Sequence, residues 1–282
     1  MAYIGIDLGG TNIRGAVVKD NVLSDVISVR VSSSGTEQEV LEELFQLTGQ
    51  LIHEDVKAIG IGVPSVVDIE KGIVYDVQNI PSWKEVPLKK YLEERYHVPV
   101  LVNNDANCFA LGEKYFGQGG AYHSFIGLTI GTGMGAGIII HDKLYAGSNC
   151  GSGEFGMVNY LDRYFEYYAS GQFFKNVYQA DGEEVFHNAK RGDREALKMF
   201  EELGTHIGNA IKMILYTYDP ETIILGGSIK NAFPYYKESM WKEIGSYVYP
   251  KSLEKFRIKI SSLKNSGVLG AAALCYEKDL TV

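Results

Sequence analysis

Two stretches of the chain share one order of apolar and polar positions. Tyr3 to Val22 reads YIGIDLGGTNIRGAVVKDNV, and Phe125 to Leu144 reads FIGLTIGTGMGAGIIIHDKL. Aligned without gaps, they match at Ile4/Ile126, Gly5/Gly127, Gly9/Gly131, Gly15/Gly137 and Asp20/Asp142. Most other positions exchange one apolar residue for another. Each copy predicts an apolar strand, a glycine-rich tight turn, a second apolar strand and a polar turn, at Asp20-Asn21 and Asp142-Lys143. An internal repeat of this kind points to two related lobes.

Between and after the repeats, strand and helix periods alternate. Thr36 with Glu39 predicts a capping box before Val40, Leu41, Leu44 and Phe45, which continue to Leu51-Ile52 at helical spacing. Ala58 to Val63 reads as a strand ending at Pro64. Pro87 opens a helix carrying Leu88, Tyr91 and Leu92. Val98 to Val102 is a strand and Ala106 to Tyr115 a helix. In the second half, Glu195 to Tyr218 is helical, although Gly204 and Gly208 weaken it. Asp219-Pro220 ends that helix, and Thr222 to Leu225 is a buried strand running into Gly226-Gly227. Gly267 to Tyr276 reads as an apolar helix that packs back on the first lobe. The fold class expected is α/β, in two lobes: 1–116, with the helix of 267–282 returning to it, and 117–266.

Length and charge narrow the function. At 282 residues the chain exceeds the usual single core, which also favours two domains. A net charge of −8 argues against non-specific nucleic-acid binding, which requires cations to neutralise phosphates. Cys108, Cys150 and Cys275 form no C-x-x-C pair, so reduced thiols are expected rather than disulfides or a cysteine zinc site. The sequence enters a strand at Tyr3 with no basic region before an apolar stretch, and no apolar run reaches about 18 residues. The expectation is a soluble, cytoplasmic protein with no membrane partner.

Candidate chemistry gathers at the turns. Glycines at the first turn, Asp7-Leu8-Gly9-Gly10-Thr11-Asn12, let backbone N–H groups approach an anion, and Thr11 and Asn12 add side-chain donors. Asp7 ends the first strand, where a carboxylate can hold Mg²⁺ against phosphates, directly or through water. Gly131-Thr132-Gly133 offers the same backbone at the equivalent turn without a carboxylate. Either turn alone is also compatible with a plain hairpin; the pair suggests a polyphosphate gripped between lobes. Gly226-Gly227-Ser228 leaves backbone open for an adenosine, or simply joins strand to helix. No turn has the Walker A pattern, and no G-x-G-x-x-G opens a helix after a strand.

Asn103-Asn104-Asp105-Ala106-Asn107 lies where a buried strand gives way to a helix. Asp105 there either caps the helix or faces the crevice at the carboxyl end of the sheet, where ligands bind. Flanking amides offer sugar hydroxyls a donor and an acceptor together. Glu154 and Glu166 add acceptors, or are solvated surface charges.

In order along the chain, D-L-G-G-T-N, G-I-G-V-P, N-N-D-A-N, T-I-G-T-G-M-G-A-G, G-E-F-G and L-G-G-S resemble the ROK family of repressors, open reading frames and sugar kinases, within the actin/Hsp70/hexokinase superfamily. The resemblance covers essentially the whole chain. It implies a ribonuclease H-like fold in each lobe, an interlobe cleft, and ATP with Mg²⁺ as cofactors. It implies that Asp105 is the catalytic base of a glucokinase-type phosphotransferase and that Asn104, Glu154 and Glu166 bind the sugar. Asn79, in Gln78-Asn79-Ile80-Pro81-Ser82-Trp83, matches a further sugar-contacting asparagine. Family members are commonly homo-oligomers, so a dimer is expected.

Departures from the family pattern carry information. Met157 stands where the family often has a histidine, and the cysteine zinc loop that usually follows is absent. No structural zinc is expected, and Tyr160, Tyr164 and Phe165 are expected to close this region by aromatic packing. Ser65 replaces the glycine usual after Pro64. Three rival readings follow: a DNA-binding repressor, which the acidic charge and the immediate first strand oppose; a catalytically silent sugar binder, which Met157 favours; and a chaperone-like ATPase, for which no peptide-binding domain follows the lobes.

Overall fold

In a computed structural model, residues 1–148 and 150–277 are described. Two compact units emerge among them: Met1–Ala121 with Gly137–Ser152 and 262–277, and Tyr122–Ala136 with Gly153–Ser261; residues 278–282 of the expected last helix lie outside the described residues. Residues 117–121, 137–152 and 262–266, expected in the second lobe, therefore group with the first unit.

The first unit begins with β1 (Ala2–Leu8), β2 (Asn12–Lys19), β3 (Val22–Leu23) and β4 (Ile27–Arg30). Helix α1 (Glu37–Leu51) follows, then β5 (Val56–Val63), a small sheet of β6 (Val66–Asp68), β7 (Ile73–Tyr75) and β8 (Glu85–Val86), and α2 (Leu88–Tyr96). Strand β9 (Val100–Asn104) leads directly into α3 (Asp105–Phe116). The main sheet runs β3-β2-β1-β5-β9, with β4 also pairing β2. β1, β5 and β9 are mutually parallel, whereas β1 and β2 form the antiparallel hairpin.

Helix α1 starts as its sequence predicts. Thr36 accepts from the Glu39 backbone N–H while the Glu39 carboxylate accepts from Thr36 N–H, the full capping box. Its apolar stripe, Val40, Leu41, Leu44, Leu47 and Leu51, is buried with Ile4, Ile6, Ile59 and Ile61 of the sheet. Pro87 sits just before α2 as its flanking residue rather than as its first helical one.

The second sheet runs β12-β11-β10-β15-β16, built from β10 (Phe125–Ile130), β11 (Met134–Ile140), β12 (Lys143–Leu144), β15 (Thr222–Gly226) and β16 (Arg257–Ile260). The turn after β11 falls at His141-Asp142, with φ of 50° and 68°, one residue earlier than the repeat alignment places it. Positive φ at both central positions marks a type I′ loop, and β11 ends one residue sooner than β2 relative to the repeat alignment. Between β12 and β15 come β13 (Asn159–Tyr160), β14 (Arg163–Tyr164), α4 (Phe165–Ala169), α5 (Phe173–Tyr178), α6 (Gly182–Lys190) and the long α7 (Arg194–Tyr218). After β15 lie α8 (Phe233–Ile244), α9 (Pro250–Leu253), β16 and finally α10 (Ser266–Glu277).

Gly204 and Gly208 do not break α7, because they are where α8 comes closest. A Cβ on Gly204 would lie 2.4 Å from the Tyr236 carbonyl oxygen, and one on Gly208 2.7 Å from that of Met240. The packing they permit offsets their propensity cost of about 1 kcal/mol each. The last helix uses the same device in the first unit: a Cβ on Gly5 of β1 would approach the Val268 carbonyl of α10 to 2.0 Å. No helix among the described residues is long and apolar enough to cross a membrane.

Candidate active site

Parallel strands that end together place their next residues along one sheet edge. Asp7 of β1 pairs with Gly62 of β5, and Gly62 pairs with Asn103 of β9. Two strand spacings therefore separate Asp7 from Asn103, about 10 Å. The residues that follow, Gly9-Gly10 after β1 and Asp105 after β9, share this edge, the carboxyl end where open α/β sheets bind ligands.

Asp105 is not the helix cap. Asn104 holds that position, its side-chain oxygen accepting from Ala106 N–H at 2.9 Å. Asp105 is the first helical residue and accepts from the same N–H at 2.8 Å. A carboxylate in the first turn also sits well in the helix dipole. Asn104 is itself anchored, since its amide nitrogen donates to the Ser65 carbonyl at 3.3 Å.

Behind this turn lies a buried polar knot that the sequence reading did not identify. Asn103 Oδ1 accepts from Asn104 N–H at 2.8 Å, from the Asn107 amide at 2.9 Å and from the Cys150 thiol at 3.0 Å. Asn103 and Asn107 are 4% and 1% exposed, so these bonds are shielded from water. N-N-D-A-N set the two asparagines four positions apart across a strand–helix junction, but no local rule showed that they bond. Cys150 carried no local signal.

At the first glycine turn, Gly9 N–H donates to the Asn12 carbonyl at 2.9 Å. Gly10 closes on Asn79: a Cβ added there would lie 2.5 Å from the Asn79 Cβ. Asn79 itself is exposed at the tip of a loop pinned by buried Val77, Ile80 and Trp83. Asp7 lies against Gly267, where an added Cβ would stand 2.6 Å from its carboxyl carbon. Burial raises the Asp7 acid above its ordinary range, and Arg14, its cross-strand partner, works the other way. One carboxylate beside a glycine turn fits a Mg²⁺ ion, which takes most of its ligands from phosphates and water. Among the described residues, no group of three or more His, Cys, Asp or Glu is arranged to hold a metal.

The second unit brings together the other predicted residues. Gly131 N–H donates to the Gly133 carbonyl at 2.9 Å, closing the second turn. Glu166, in α4, sits on that turn: its Oε2 accepts from Met134 N–H at 2.9 Å and would lie 2.6 Å from a Cβ on Gly133. Glu154 begins the short helical turn Phe155–Met157. Its side chain reaches solvent, yet surrounding protein atoms and the nearby Glu166 charge raise its acid above the usual glutamate range. Gly227, at φ 76°, ends the β15 strand so that Ser228 faces Gly131, whose added Cβ would lie 3.7 Å from Ser228 Oγ.

A cavity of about 860 Å³ opens beside these two glycine segments. Gly131, Thr132 and Ser228 form one part of its wall, Phe174, Phe186 and Phe200 an aromatic part. Sequence reading found the glycines but missed Ser170-Gly171-Gln172, which stitches the turn in place. Gly171 N–H donates to the Gly131 carbonyl at 2.7 Å, and Ser170 Oγ to the Thr132 carbonyl at 2.9 Å. The only hint was a small-residue pair between two aromatic helices.

Aromatic packing fills the region after Glu154. Tyr160 stacks on Phe165 with ring centres 4.3 Å apart, and Tyr164 meets Tyr167 edge-on. Tyr160 also shares a hydrogen bond of 3.1 Å with His206 Nδ1 of α7. Burial lowers the His206 pKa, with Glu202 opposing that shift, so the ring is held toward its neutral form. Met157 is exposed at the end of its helical turn.

The family model described as ROK family matches residues 3–278. The chain is 28% identical to a glucokinase of Thermotoga maritima, over 99% of this chain and 98% of that one. It is 29% identical to a xylose repressor of Bacillus subtilis, over 96% of this chain and 76% of the repressor. In structure it is similar to a ROK family glucokinase from Streptomyces griseus solved with glucose and AMPPNP. That match has a TM-score of 0.82 at 27% identity, covering 97% and 99% of the two chains.

Proposed function

The chain belongs to the ROK family, and on that premise we propose that it is an ATP-dependent sugar kinase, with glucose phosphorylated at its C6 hydroxyl. One observation carries this reading: a single sheet edge presents Asp7, the Gly9-Gly10 turn with Asn79 against it, and Asp105 held at the first position of a helix. That edge combines a phosphate grip, a cation ligand and a candidate base. The similarity to glucokinases over nearly the whole chain supports the same reaction.

In the proposed step the sugar oxygen attacks the γ-phosphorus of ATP as the bond to the β–γ bridging oxygen breaks. The hydroxyl proton passes to the Asp105 carboxylate, and ADP leaves with the bridging oxygen. Phosphoryl transfer of this kind depends mainly on positioning and charge neutralisation. Asn79, Asn104, Glu154 and Glu166 orient the sugar. The backbone of Gly9, Gly10, Gly131 and Gly133, with the side chains of Thr11, Asn12 and Thr132, holds the phosphates, and Gly226-Gly227 receives the adenosine. Asp7 holds Mg²⁺, which neutralises phosphate charge when bound.

A panel of glucose, N-acetylglucosamine, N-acetylmannosamine, mannose and fructose with ATP tests the assignment, alongside Asp105→Asn. The wild type should phosphorylate at least one of these sugars. Asp105→Asn should retain sugar binding and lose about 10²–10⁴ in turnover. Undiminished turnover in the variant would remove Asp105 from the role. Turnover with an N-acetylhexosamine or fructose alone would reassign the substrate within the same reaction. A sugar-binding regulator without turnover is the second reading, favoured by exposed Met157 and by similarity to repressors. Sugar binding with no ATP consumption across the panel would establish it.

A further inference from the structure

We propose that Gln172 is a positioning residue that couples the nucleotide cavity to Glu166, so that nucleotide and sugar bind cooperatively. The inference rests on the kinase reading above and deepens it by naming the link between the two ligands. Gln172 stands in the wall of the 860 Å³ cavity and also touches the sugar-side carboxylate: its Nε2 donates to Glu166 Oε1 at 3.1 Å. The other carboxylate oxygen, Oε2, accepts from Met134 N–H, the residue directly after the glycine turn. Glu166 is thus held from both sides by groups that belong to the phosphate turn and the cavity wall.

Gln172 is itself tied to the same turn. Its backbone N–H donates to Ser170 Oγ at 3.2 Å, and that hydroxyl donates to the Thr132 carbonyl. Gly171 between them is bonded to Gly131. Ser170 is 0% exposed, so the bond linking 170–172 to the turn is sheltered from competing water. A nucleotide that orders Gly131–Gly133 and packs on Gln172 therefore orders Glu166 as well.

The terminal torsion of a glutamate is broad, and a carboxylate held at one oxygen still rotates. Held at both, it presents one set of lone pairs. A sugar arriving after the nucleotide then finds the carboxylate already oriented, which is positive coupling through ordering. Linkage requires the effect to be mutual: sugar must tighten nucleotide binding by the same factor.

Isothermal titration of glucose, with and without saturating AMPPNP, reads the coupling as the ratio of two dissociation constants. In the wild type the ratio should be about fivefold or more. Gln172→Met keeps the length of the side chain and its place in the cavity wall but has no donor. Its ratio should fall to within about twofold of unity, as should that of Gln172→Ala. Because each ratio is taken within one variant, a general loss of affinity cancels, and thermal midpoints verify folding. Full coupling in Gln172→Met, or no coupling in the wild type, overturns the inference. Failure of the wild type to bind AMPPNP, or to bind any sugar of the panel, overturns the kinase reading and this one together. Binding and turnover that persist with coupling unchanged by both variants overturn only the role of Gln172.

Discussion

The two glycine hairpins share one backbone plan but gather different side chains. Both run strand, glycine turn, strand, polar turn, and both turns close on themselves through an internal hydrogen bond, from Gly9 to Asn12 and from Gly131 to Gly133. They differ in where the carboxylate comes from. The first carries its own, Asp7. At the equivalent place the second has Thr129, whose hydroxyl is spent on the Gly135 carbonyl at 3.1 Å, and it borrows Glu166 from a helix 32 residues downstream of Met134. Duplication thus supplies a scaffold that presents N–H groups, while charge is added separately to each copy. The acid built into a strand is partly buried and raised in pKa, whereas the borrowed one is held by two donors.

The sharpest way to break this comparison is to remove the built-in acid and its counterpart in parallel. Asp7→Asn should lower turnover by about 10²-fold, a few kcal/mol of lost charge neutralisation. Thr129→Val loses one neutral hydrogen bond, about 1 kcal/mol, and should chiefly lower the thermal midpoint. Steady-state kinetics with denaturation curves on both variants checks this; similar kinetic losses would mean the hairpins are not chemically distinct.

A second pair tests the scaffolds rather than the acids. Gly15 and Gly137 are equivalent in the repeat, but their surroundings differ in stiffness. A Cβ on Gly15 would meet Leu47 Cδ2 at 2.5 Å, the end of a flexible side chain. One on Gly137 would meet the Ala106 carbonyl oxygen at 2.5 Å, backbone of the helix that begins with Asp105. Gly137→Ala should destabilise by about 1–3 kcal/mol and lower kcat, while Gly15→Ala should stay below about 1 kcal/mol. Urea denaturation with kinetics separates the two.

Titration sharpens the contrast within the second unit. The folded His206 pKa lies below its unfolded value of 6.5, so the unfolded chain takes up the proton first. The contribution of neutral His206 is present above about pH 6.5 and is lost as pH falls toward the lowered folded pKa. Wild-type stability should fall more steeply than that of His206→Gln between pH 7 and pH 5. Equal slopes would contradict it.

Glu154 gives the smallest effect and the opposite sign. Its raised folded pKa favours the protonated form, so its ionisation above that value opposes the fold. Glu154→Gln should raise the thermal midpoint by about 1–2 °C at pH 8 and leave it unchanged at pH 4. A gain at pH 4 as large as at pH 8 would show that ionisation of Glu154, opposed by burial and by the Glu166 charge, is not the cause.

Much of this was legible without coordinates. Period and capping located α1, including both halves of the Thr36/Glu39 box, because a cap depends only on residues three apart. The hairpins were legible because glycine and apolar alternation are local properties of backbone conformation. The second polar turn was misplaced by one residue, since the alignment assumed strands of equal length. The sequence placed Asp105 where a strand gives way to a helix, but not its relation to that helix: Asn104 caps, its amide bonded to Ser65, 39 positions earlier.

The sequence by itself determined which segments form strands and helices, which glycines sit at turns and which family the chain resembles, since each rests on residues close together along the chain. Only tertiary structure decided that Asn79 closes on Gly10, that Cys150 joins the knot behind Asp105, and that Gln172 and Met134 hold Glu166 between them. Except for the bond from Gln172 to Glu166, six residues apart, those contacts span long stretches of chain and depend on strand register and helix packing. No short-range pattern encodes them, because their partners meet only after the sheets have formed.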